Sequence, residues 1–348
     1  MKQLFFTLIL VTLACSLSAA RYYVAPEATG QNGSSWDDPI SIYQALEMAV
    51  PGDVIWVKQG TYYSSLENNR EDRLVIPSGV AVYGGFEGIE EQLSDRDLQA
   101  TPSILSGDIG VAGDPRDNAF TIVYMIDVDA QTLLDGFTIA YGQAKAPSRN
   151  RMASTAGGAL MIEAIGWASC FPKISNCTFT ENNARYGGAV YVKGTFSTAE
   201  PQFVDCIFQN NEASFKGGAI YNDGESGLAN PVLVSCEFIE NDADYGAGVY
   251  NNGESGGESN PLILGSSFVR NNSSFNGAAI FNNQGESGTA TPVIQDCIYV
   301  ENFSELGEDI ANSNRDLVHV RTRGVGSSYR RGSALRPTTH ALTTDNNK

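Results

Sequence analysis

Apolar positions recur along the second half of this chain with a period of 29 to 31 residues. Each repeat begins with Pro and has an apolar residue two places later, followed by Cys or Ser, then Phe or Tyr, then Asn. A Gly- and Ala-rich tetrapeptide that ends in a branched aliphatic residue follows in most repeats. The repeats begin at Pro172, Pro201, Pro231, Pro261 and Pro292. A fixed period of this length is typical of stacked structural units.

The spacing of the apolar positions predicts where each repeat bends. Same-face residues of a strand are an even number apart, but Ile174 and Cys177, and their equivalents in every repeat, are three apart. We therefore predict a corner between them. The turn-forming residues in these corners are Asn176, Asp205, Ser235, Gly265 and Asp296.

A second corner is predicted at the recurring asparagine of each repeat. Stacked side-chain amides can hydrogen-bond from one coil to the next, so we interpret these residues as a structural ladder. Its members are Asn182, Asn211, Asn241, Asn271 and Asn302. A third short strand is predicted at the tetrapeptides, such as Gly187 to Val190. The sequence thus predicts an all-β parallel β-helix with three strands per coil and about eight coils, stacked about 4.8 Å apart.

The regions outside the repeats predict three further segments. Residues 1–20 have the Lys, apolar run and small residues of a signal peptide, although a lipoprotein attached at Cys15 remains an alternative. Residues 37–50 have acidic capping residues, an early Pro and helical apolar spacing, so we predict a short helix that closes the N-terminal end. The β-helix would span residues 21–312, with the regular repeats from about 172. Residues 313–348 are predicted to be a disordered basic tail, and a truncated or frame-shifted end is the alternative.

Charge narrows the classes of partner. The chain has a net charge of −18, with 15 basic against 38 acidic residues in 1–312 and seven against two in 313–348. Nucleic acid binding requires a basic surface, so we do not expect a nucleic acid partner. After the leader, no segment is long and apolar enough to span a membrane as a helix. We expect an exported protein, extracellular or associated with the cell surface or outer membrane.

The Phe-x-x-Asn and Gly-Gly-Ala-Ile elements resemble the repeats of the chlamydial polymorphic outer-membrane proteins. The segment from Tyr22 to Ala144 also resembles the opening of secreted bacterial β-helix proteins, with Tyr83-Gly84-Gly85-Phe86 and Leu134-Asp135-Gly136-Phe137. The resemblance covers roughly residues 22 to 312. It implies a right-handed β-helix of the pectin lyase-like fold. Proteins with this fold include pectate and alginate lyases, phage tailspikes and adhesins, so the fold does not identify the activity.

One row of aromatic residues is the candidate ligand-binding surface. Each member directly follows the inward aliphatic residue of a tetrapeptide, so strand parity turns it outward. The row consists of Tyr191, Tyr221, Tyr250 and Phe281, flanked by Asn222, Asn251 and Asn282. Such rings could stack on sugars, or loops could fold over them and bury them. A second aromatic series is predicted to belong to the core. It consists of Tyr186, Phe215, Tyr245 and Phe275.

Acidic loops supply the candidates for a metal site. The sequence Gly-Glu-Ser-Gly occurs from Gly224, Gly253 and Gly285. Its carboxylates could bind Ca²⁺, for which oxygen ligands are preferred, or could be solvated turns. The candidate ligands are Asp223, Glu225, Glu254 and Glu286, with Glu258 nearby.

Two functions follow as hypotheses. The first is adhesion or glycan binding to a host or cell-surface component, because repeated loops suit a binding surface. The alternative is a polysaccharide lyase acting on uronate-containing glycans, whose catalytic residues the sequence does not identify. Such enzymes place a basic residue beside Ca²⁺-binding carboxylates, and the candidate bases are Arg185, Lys193, Lys216 and Arg270.

The cysteines favour an architectural role. Four of them, Cys177, Cys206, Cys236 and Cys297, share one repeat position in which Ser266 is also found. We predict buried free thiols in a small apolar position, with disulfides between coils as the alternative. A zinc site is not indicated, because the chain lacks Cys-x-x-Cys pairs and both histidines lie in the tail.

Overall fold

The chain forms a parallel β-helix of about nine coils. The structure is a computed structural model that describes residues 19–145, 154–313 and the backbone of 320–321. Neighbouring strands along each face pair in parallel, as in Ile174 with Phe203 and Val190 with Ile220. The all-β parallel β-helix predicted from the repeats is confirmed.

Two long sheets form consecutive faces of the coil. Sheet 1 contains the strands Arg21–Val24, Val54–Lys58, Ala81–Phe86, Leu133–Asp135, Lys173–Ser175, Gln202–Val204, Val232–Val234, Leu262–Leu264, Val293–Gln295 and Val320–Arg321. Sheet 2 contains Gly60–Tyr63, Ser103–Ser106, Phe137–Ala140, Thr178–Thr180, Ile207–Gln209, Glu237–Ile239, Ser267–Val269 and Ile298–Val300.

Two further sheets complete each regular coil, and a small fifth sheet supports three of the loops. Sheet 3 contains Gln143–Ala144, Asn183–Tyr186, Glu212–Lys216, Asp242–Tyr245, Asn272–Asn276 and Phe303–Ser304. Sheet 4 contains Leu74–Val75, Val123–Ile126, Leu160–Glu163, Val190–Lys193, Ile220–Asp223, Val249–Asn252, Ile280–Asn283 and Ile310–Asn312. Sheet 5 contains Ser169–Cys170, Thr198–Ala199 and Leu228–Ala229.

Each regular coil therefore has four main strands, one more than the spacing predicted. The additional strand lies in sheet 3, between the asparagine corner and the Gly-rich tetrapeptide. Its inward residues are small, as at Ala184, Ala213 and Ala243, so it carries little apolar signal. The tetrapeptides were predicted to form a strand, but most of each one is a bend, and the sheet 4 strands begin near their last residue, for example at Val190.

The first corner lies where parity predicted it. Asn176, Asp205, Ser235, Gly265 and Asp296 all have φ between 52° and 56°, the left-handed region that Gly, Asn and Asp tolerate best. One residue per coil with this conformation turns the chain from sheet 1 into sheet 2.

The second corner contains the predicted asparagine ladder. Asn211 donates its side-chain amide to Asn241 Oδ1 at 3.0 Å, and Asn241 donates to Asn271 Oδ1 at 2.9 Å. Each amide also donates to a backbone carbonyl of the preceding coil, as Asn241 does to Phe208 at 2.9 Å. Because these side chains are buried, the ladder satisfies polar groups that water cannot reach.

The core is built from residues that stack in register. Phe208 lies parallel to Phe179 at 4.8 Å and to Phe238 at 4.9 Å between ring centroids. Burial of each such ring stabilises the fold by about 1.5–3 kcal/mol. The predicted free thiols are confirmed, since Cys170, Cys177, Cys206, Cys236 and Cys297 are unpaired and buried. Burial raises the pKa of Cys177 to about 12.

A short α-helix, Ile42–Met48, lies within the predicted segment 37–50. Its N-cap is Ser41, which forms a capping box with Gln44, and not one of the acidic residues at 37 and 38. The helix buries Ile42, Ala45 and Leu46 against the first coils. The predicted leader and the predicted tail lie almost entirely outside the described residues.

Candidate functional site

The four rings proposed for ligand binding form an inner aromatic row, Tyr191, Tyr221, Tyr250 and Phe281. Parity does place them on the face of sheet 4 opposite the core, but their exposed fractions are only 2%, 6%, 2% and 9%. Successive rings stack nearly parallel at 5.1 to 5.2 Å. Their faces are therefore in contact with one another, and the expectation that sugars can reach them is corrected.

The flanking asparagines are also unavailable to a ligand. Asn222, Asn251 and Asn282 are fully buried and point into the helix, where they form a second amide ladder. Asn222 donates to Asn251 Oδ1 at 2.9 Å, and Asn251 donates to Asn282 Oδ1 at 2.8 Å. These residues stabilise the core and do not line a surface.

A second set of rings covers the inner row and reaches solvent. This outer aromatic ladder consists of Tyr186, Phe215, Tyr245 and Phe275, one ring per coil of sheet 3. The first three are partly exposed and Phe275 is 44% exposed. Tyr186 contacts the Tyr221 ring and Tyr245 contacts the Phe281 ring, at 5.6 and 5.3 Å between centroids. This series was predicted to belong to the core; Tyr186 and Tyr245 do pack against the buried inner row, but all four rings retain exposed surface.

The rings of the outer aromatic ladder form a continuous series along the helix axis. Tyr186 and Phe215 meet edge to face at 5.9 Å, and Phe215 and Tyr245 do so at 6.1 Å. Tyr245 and Phe275 are stacked at 5.1 Å. Tyr186 and Tyr245 pack on the inner row, and all four rings retain exposed surface.

Alternate coils carry a β-bulge that produces the two ring orientations. Ala184 pairs with Ala213, but Tyr186 pairs with Lys216, so three residues of one strand oppose two of its neighbour. The same shift recurs where Tyr245 pairs with Asn276. A bulge re-aims the side chains beside it, which places Phe215 and Phe275 out of line with the two tyrosines.

The sequence contained a signal for this arrangement. Tyr186 and Tyr245 directly precede the Gly of the tetrapeptide, whereas Phe215 and Phe275 are separated from it by one residue. An extra residue at a fixed repeat position indicates a bulge. The exposed face could have been predicted from this spacing, but apolar character alone favoured the core.

Two cations lie on the N-terminal half of the outer aromatic ladder. The Arg185 guanidinium is 5.4 Å from the Tyr186 centroid and 5.7 Å from the Phe215 centroid. Lys216 Nζ is 5.0 Å from the Phe215 centroid and 4.8 Å from that of Tyr250. Burial lowers the pKa of Lys216, and the carboxylates of Glu254, Asp223 and Glu225 oppose part of that shift.

The predicted metal ligands are not brought together. Asp223 is buried and accepts hydrogen bonds from the Tyr191 hydroxyl at 2.5 Å and Asn252 Nδ2 at 2.9 Å. Glu225 accepts from Ser255 Oγ at 3.0 Å, and Glu286 is exposed. Among the residues that the structure describes, no three His, Cys, Asp or Glu side chains are grouped to hold a metal ion. These residues do not fit a Ca²⁺ site.

Two other candidate bases are neutralised by ion pairs. Lys193 lies 2.5 Å from Glu163, and Arg270 lies 2.7 Å from Glu240.

A surface cavity of about 500 Å³ lies beside the asparagine corner, but its lining contains acidic and amide residues and no Lys or Arg. It is lined by Glu181, Asn210, Asn211, Glu212, Glu240 and Asp242.

No helix within the described ranges is long and apolar enough to cross a membrane. This finding concerns helices alone.

The chain is similar to known proteins in its repeats and in its overall structure. Residues 176–193 and 205–223 match the model of the Chlamydia polymorphic membrane protein repeat. No curated protein sequence matches the chain significantly. Among solved structures, a crystal structure of pectate lyase Pel9A is similar, with 13% sequence identity, 87% of this chain and 80% of that chain covered, and a TM-score of 0.47. The chain is a parallel β-helix protein in which two coils match the polymorphic membrane protein repeat.

Proposed function

We propose that this protein is exported and binds glycans at the cell surface or outside the cell through its outer aromatic ladder. The observation that carries the proposal is the uninterrupted series of four partly exposed rings, one per coil, from Tyr186 to Phe275. The apolar faces of sugar rings pack on aromatic side chains, and a series of rings offers several adjacent subsites.

Polar side chains beside the rings support a carbohydrate ligand. Each ring is preceded by a side chain that is partly or fully exposed. These residues are Arg185, Ser214, Asp244 and Ser274. Together they offer donors and acceptors on the strands that carry the rings, which hydroxyl-rich ligands require. The acidic body of the chain disfavours nucleic acid as the partner.

Export and surface location rest on sequence features. The predicted signal peptide at residues 1–20 supports export, and the polymorphic membrane protein repeats support display outside the cell. Adhesion to a host or cell-surface component would follow from glycan binding on the repeated coils.

The proposal is tested with the double variant Tyr245→Ala and Phe275→Ala on a glycan array. Each lost ring removes about 0.5–1.5 kcal/mol of contact energy, so retention should fall about tenfold. Phe196→Ala is the matched control, because Phe196 is 67% exposed and lies outside the ladder. Equal retention by the double variant and the wild-type protein, with thermal melts that show both folded, would refute the proposal.

The second candidate function is a polysaccharide lyase with Lys216 as the base. It is favoured by one observation: Lys216 has a lowered pKa and lies within electrostatic range of three carboxylates. A lowered pKa suits a proton-abstracting amine. Release of unsaturated, ultraviolet-absorbing products from uronans, lost in Lys216→Gln, would support this function. No product with any uronan, with or without added Ca²⁺, would exclude it.

A further inference from the structure

We propose that Arg185 and Lys216 form an anion-selective subsite beside Phe215, which binds the carboxylate or sulfate ester of an acidic sugar. This inference rests on the proposed glycan-binding function and assigns different ligand charges to the two halves of the ladder. The N-terminal half accepts a charged sugar, and the C-terminal half, Tyr245 and Phe275, accepts a neutral one.

The two cations flank the same ring from neighbouring coils. Arg185 ends 5.7 Å and Lys216 ends 5.0 Å from the Phe215 centroid. The β-bulge makes this possible, because it sets Lys216, and not Phe215, opposite Tyr186. Because both cations lie over the Phe215 ring, the subsite is placed at the edge of that ring, where an anionic sugar group would approach both donors. The planar guanidinium of Arg185 can donate hydrogen bonds to two oxygens of one anionic group, and the ammonium of Lys216 adds a point charge.

Both cations are free of ion pairs. Arg96, Lys145, Lys193 and Arg270 each lie within 2.5 to 2.8 Å of a carboxylate. In the described part of the chain, neither Arg185 nor Lys216 has a carboxylate within ion-pair distance. A partly buried cation without a paired carboxylate loses hydration that nothing replaces, and Arg185 and Lys216 are both partly buried. A bound anion would offset the lost hydration.

The carboxylates nearest Lys216 do not fill the subsite. Asp223 is held below the surface by Tyr191 and Asn252, and Glu225 is engaged by Ser255. Glu254 acts on Lys216 through its charge alone. Their charges oppose part of the lowering of the Lys216 pKa that burial causes, and none of the three forms an ion pair with Arg185 or Lys216.

The other half of the ladder has the opposite character. Within the described residues, no Lys or Arg lies over the ring of Tyr245 or of Phe275. The outward residue before Tyr245 is Asp244, and the one before Phe275 is Ser274. A carboxylate beside stacked rings binds hydroxyls and repels anions, so this half selects uncharged sugars.

The test compares three forms of one backbone: dextran, carboxymethyl dextran and dextran sulfate oligosaccharides of equal length at fixed ionic strength. Charge-assisted hydrogen bonds lead us to expect at least about tenfold tighter binding of one anionic form than of dextran. Arg185→Gln with Lys216→Gln should bring the ratio to within about twofold, because the variant weakens binding of the anionic forms more than binding of dextran. Arg116→Gln is the control, because Arg116 is an exposed cation paired with Asp114 elsewhere. The carboxymethyl and sulfate forms separate the two sources of anion.

A second measurement keeps the subsite and the glycan proposal separable. Sodium glucuronate and sodium sulfate are titrated into protein that carries a carbon-13 label at the lysine Cε atoms. The chemical shift of the Lys216 Cε signal is followed by nuclear magnetic resonance. A saturable shift that Arg185→Gln weakens supports the subsite even if no dextran is retained, in which case only the glycan proposal fails. Dextran binding with no anionic preference, or no Lys216 shift with either anion, overturns the subsite.

Discussion

Lys216 pairs with Tyr186 on the neighbouring coil, although Phe215 is the residue that matches Tyr186 in the repeat. One inserted residue therefore moves an aromatic ring out of line and sets a cation in its place. The same bulge is repeated two coils later, where Asn276 takes the position of Lys216. The chemical difference between the two halves of the ladder arises from these two positions and from Arg185 and Asp244, which precede the two tyrosines.

The inner aromatic row should contribute strongly to stability. Tyr221 stacks between Tyr191 and Tyr250 at 5.1 Å on each side, so Tyr221→Ala is expected to lower the free energy of unfolding by about 3–5 kcal/mol, as for other buried aromatic residues. Phe275→Ala, at a ring that is 44% exposed, should cost less than about 1.5 kcal/mol. Urea unfolding measures both. Equal losses would contradict the division into a buried row and an accessible ladder.

The second amide ladder, Asn222, Asn251 and Asn282, should tolerate substitution of its first member better than substitution of its middle member, as measured by the free energy of unfolding. Asn222 Oδ1 is buried without a hydrogen-bond partner in the described structure, because Val192 precedes it on the adjacent coil. Asn222→Val removes this unpaired oxygen and leaves Asn251 Oδ1 unpaired instead, so the free energy of unfolding should change by less than about 1 kcal/mol.

Asn251→Val interrupts the same ladder in the middle. It leaves the Asn222 amide without its acceptor and Asn282 Oδ1 without its donor. Two buried unsatisfied groups should cost about 2–5 kcal/mol. The comparison uses the same substitution and the same denaturant. A costly Asn222→Val with a neutral Asn251→Val would show that hydrogen bonding does not determine the stability of this face.

Alkaline pH should destabilise the fold. Burial raises the pKa values of Tyr62, Tyr191, Tyr250 and Tyr299 above the ordinary value of 10.0. Because the folded pKa is the higher one, the contribution of each neutral hydroxyl is fully present below about pH 10 and declines as the pH rises from there toward the folded pKa. The midpoint of urea unfolding should therefore decrease above about pH 10.

Tyr299→Phe provides the matched variant for the pH experiment. The Tyr299 hydroxyl has no hydrogen-bond partner in the described structure, so its removal at neutral pH should leave stability unchanged or increase it by up to about 1 kcal/mol. The variant should also lose less stability than the wild-type protein at alkaline pH. A pH dependence identical to that of the wild-type protein would show that ionisation of Tyr299 does not contribute.

Much of the architecture could be predicted from local spacing. An odd interval between Ile174 and Cys177 requires a corner, and the five turn-forming residues predicted there do turn the chain, each with a left-handed φ. The asparagine ladder follows from the same logic, because identical residues at one repeat position meet in a parallel stack. The strand of sheet 3 escaped prediction, since its inward alanines and outward polar residues resemble a loop.

The candidate site was less predictable, for a physical reason. Parity gives the face of the strand on which Tyr221 lies, but it does not show whether another ring covers that face. Tyr186 and Tyr245 belong to the preceding strand of the coil and pack onto sheet 4. Which of the two aromatic series reaches solvent depends on how sheet 3 folds over sheet 4.

The sequence by itself determined the coil: its period, its two corners, its amide ladder and its stacked core, because each depends on contacts between equivalent residues of neighbouring repeats. Tertiary structure decided accessibility and charge pairing. Tyr191, Tyr221, Tyr250 and Phe281 are buried, and Phe215 lies between two unpaired cations, because bulges and adjacent sheets bring together residues that are not equivalent in the repeat.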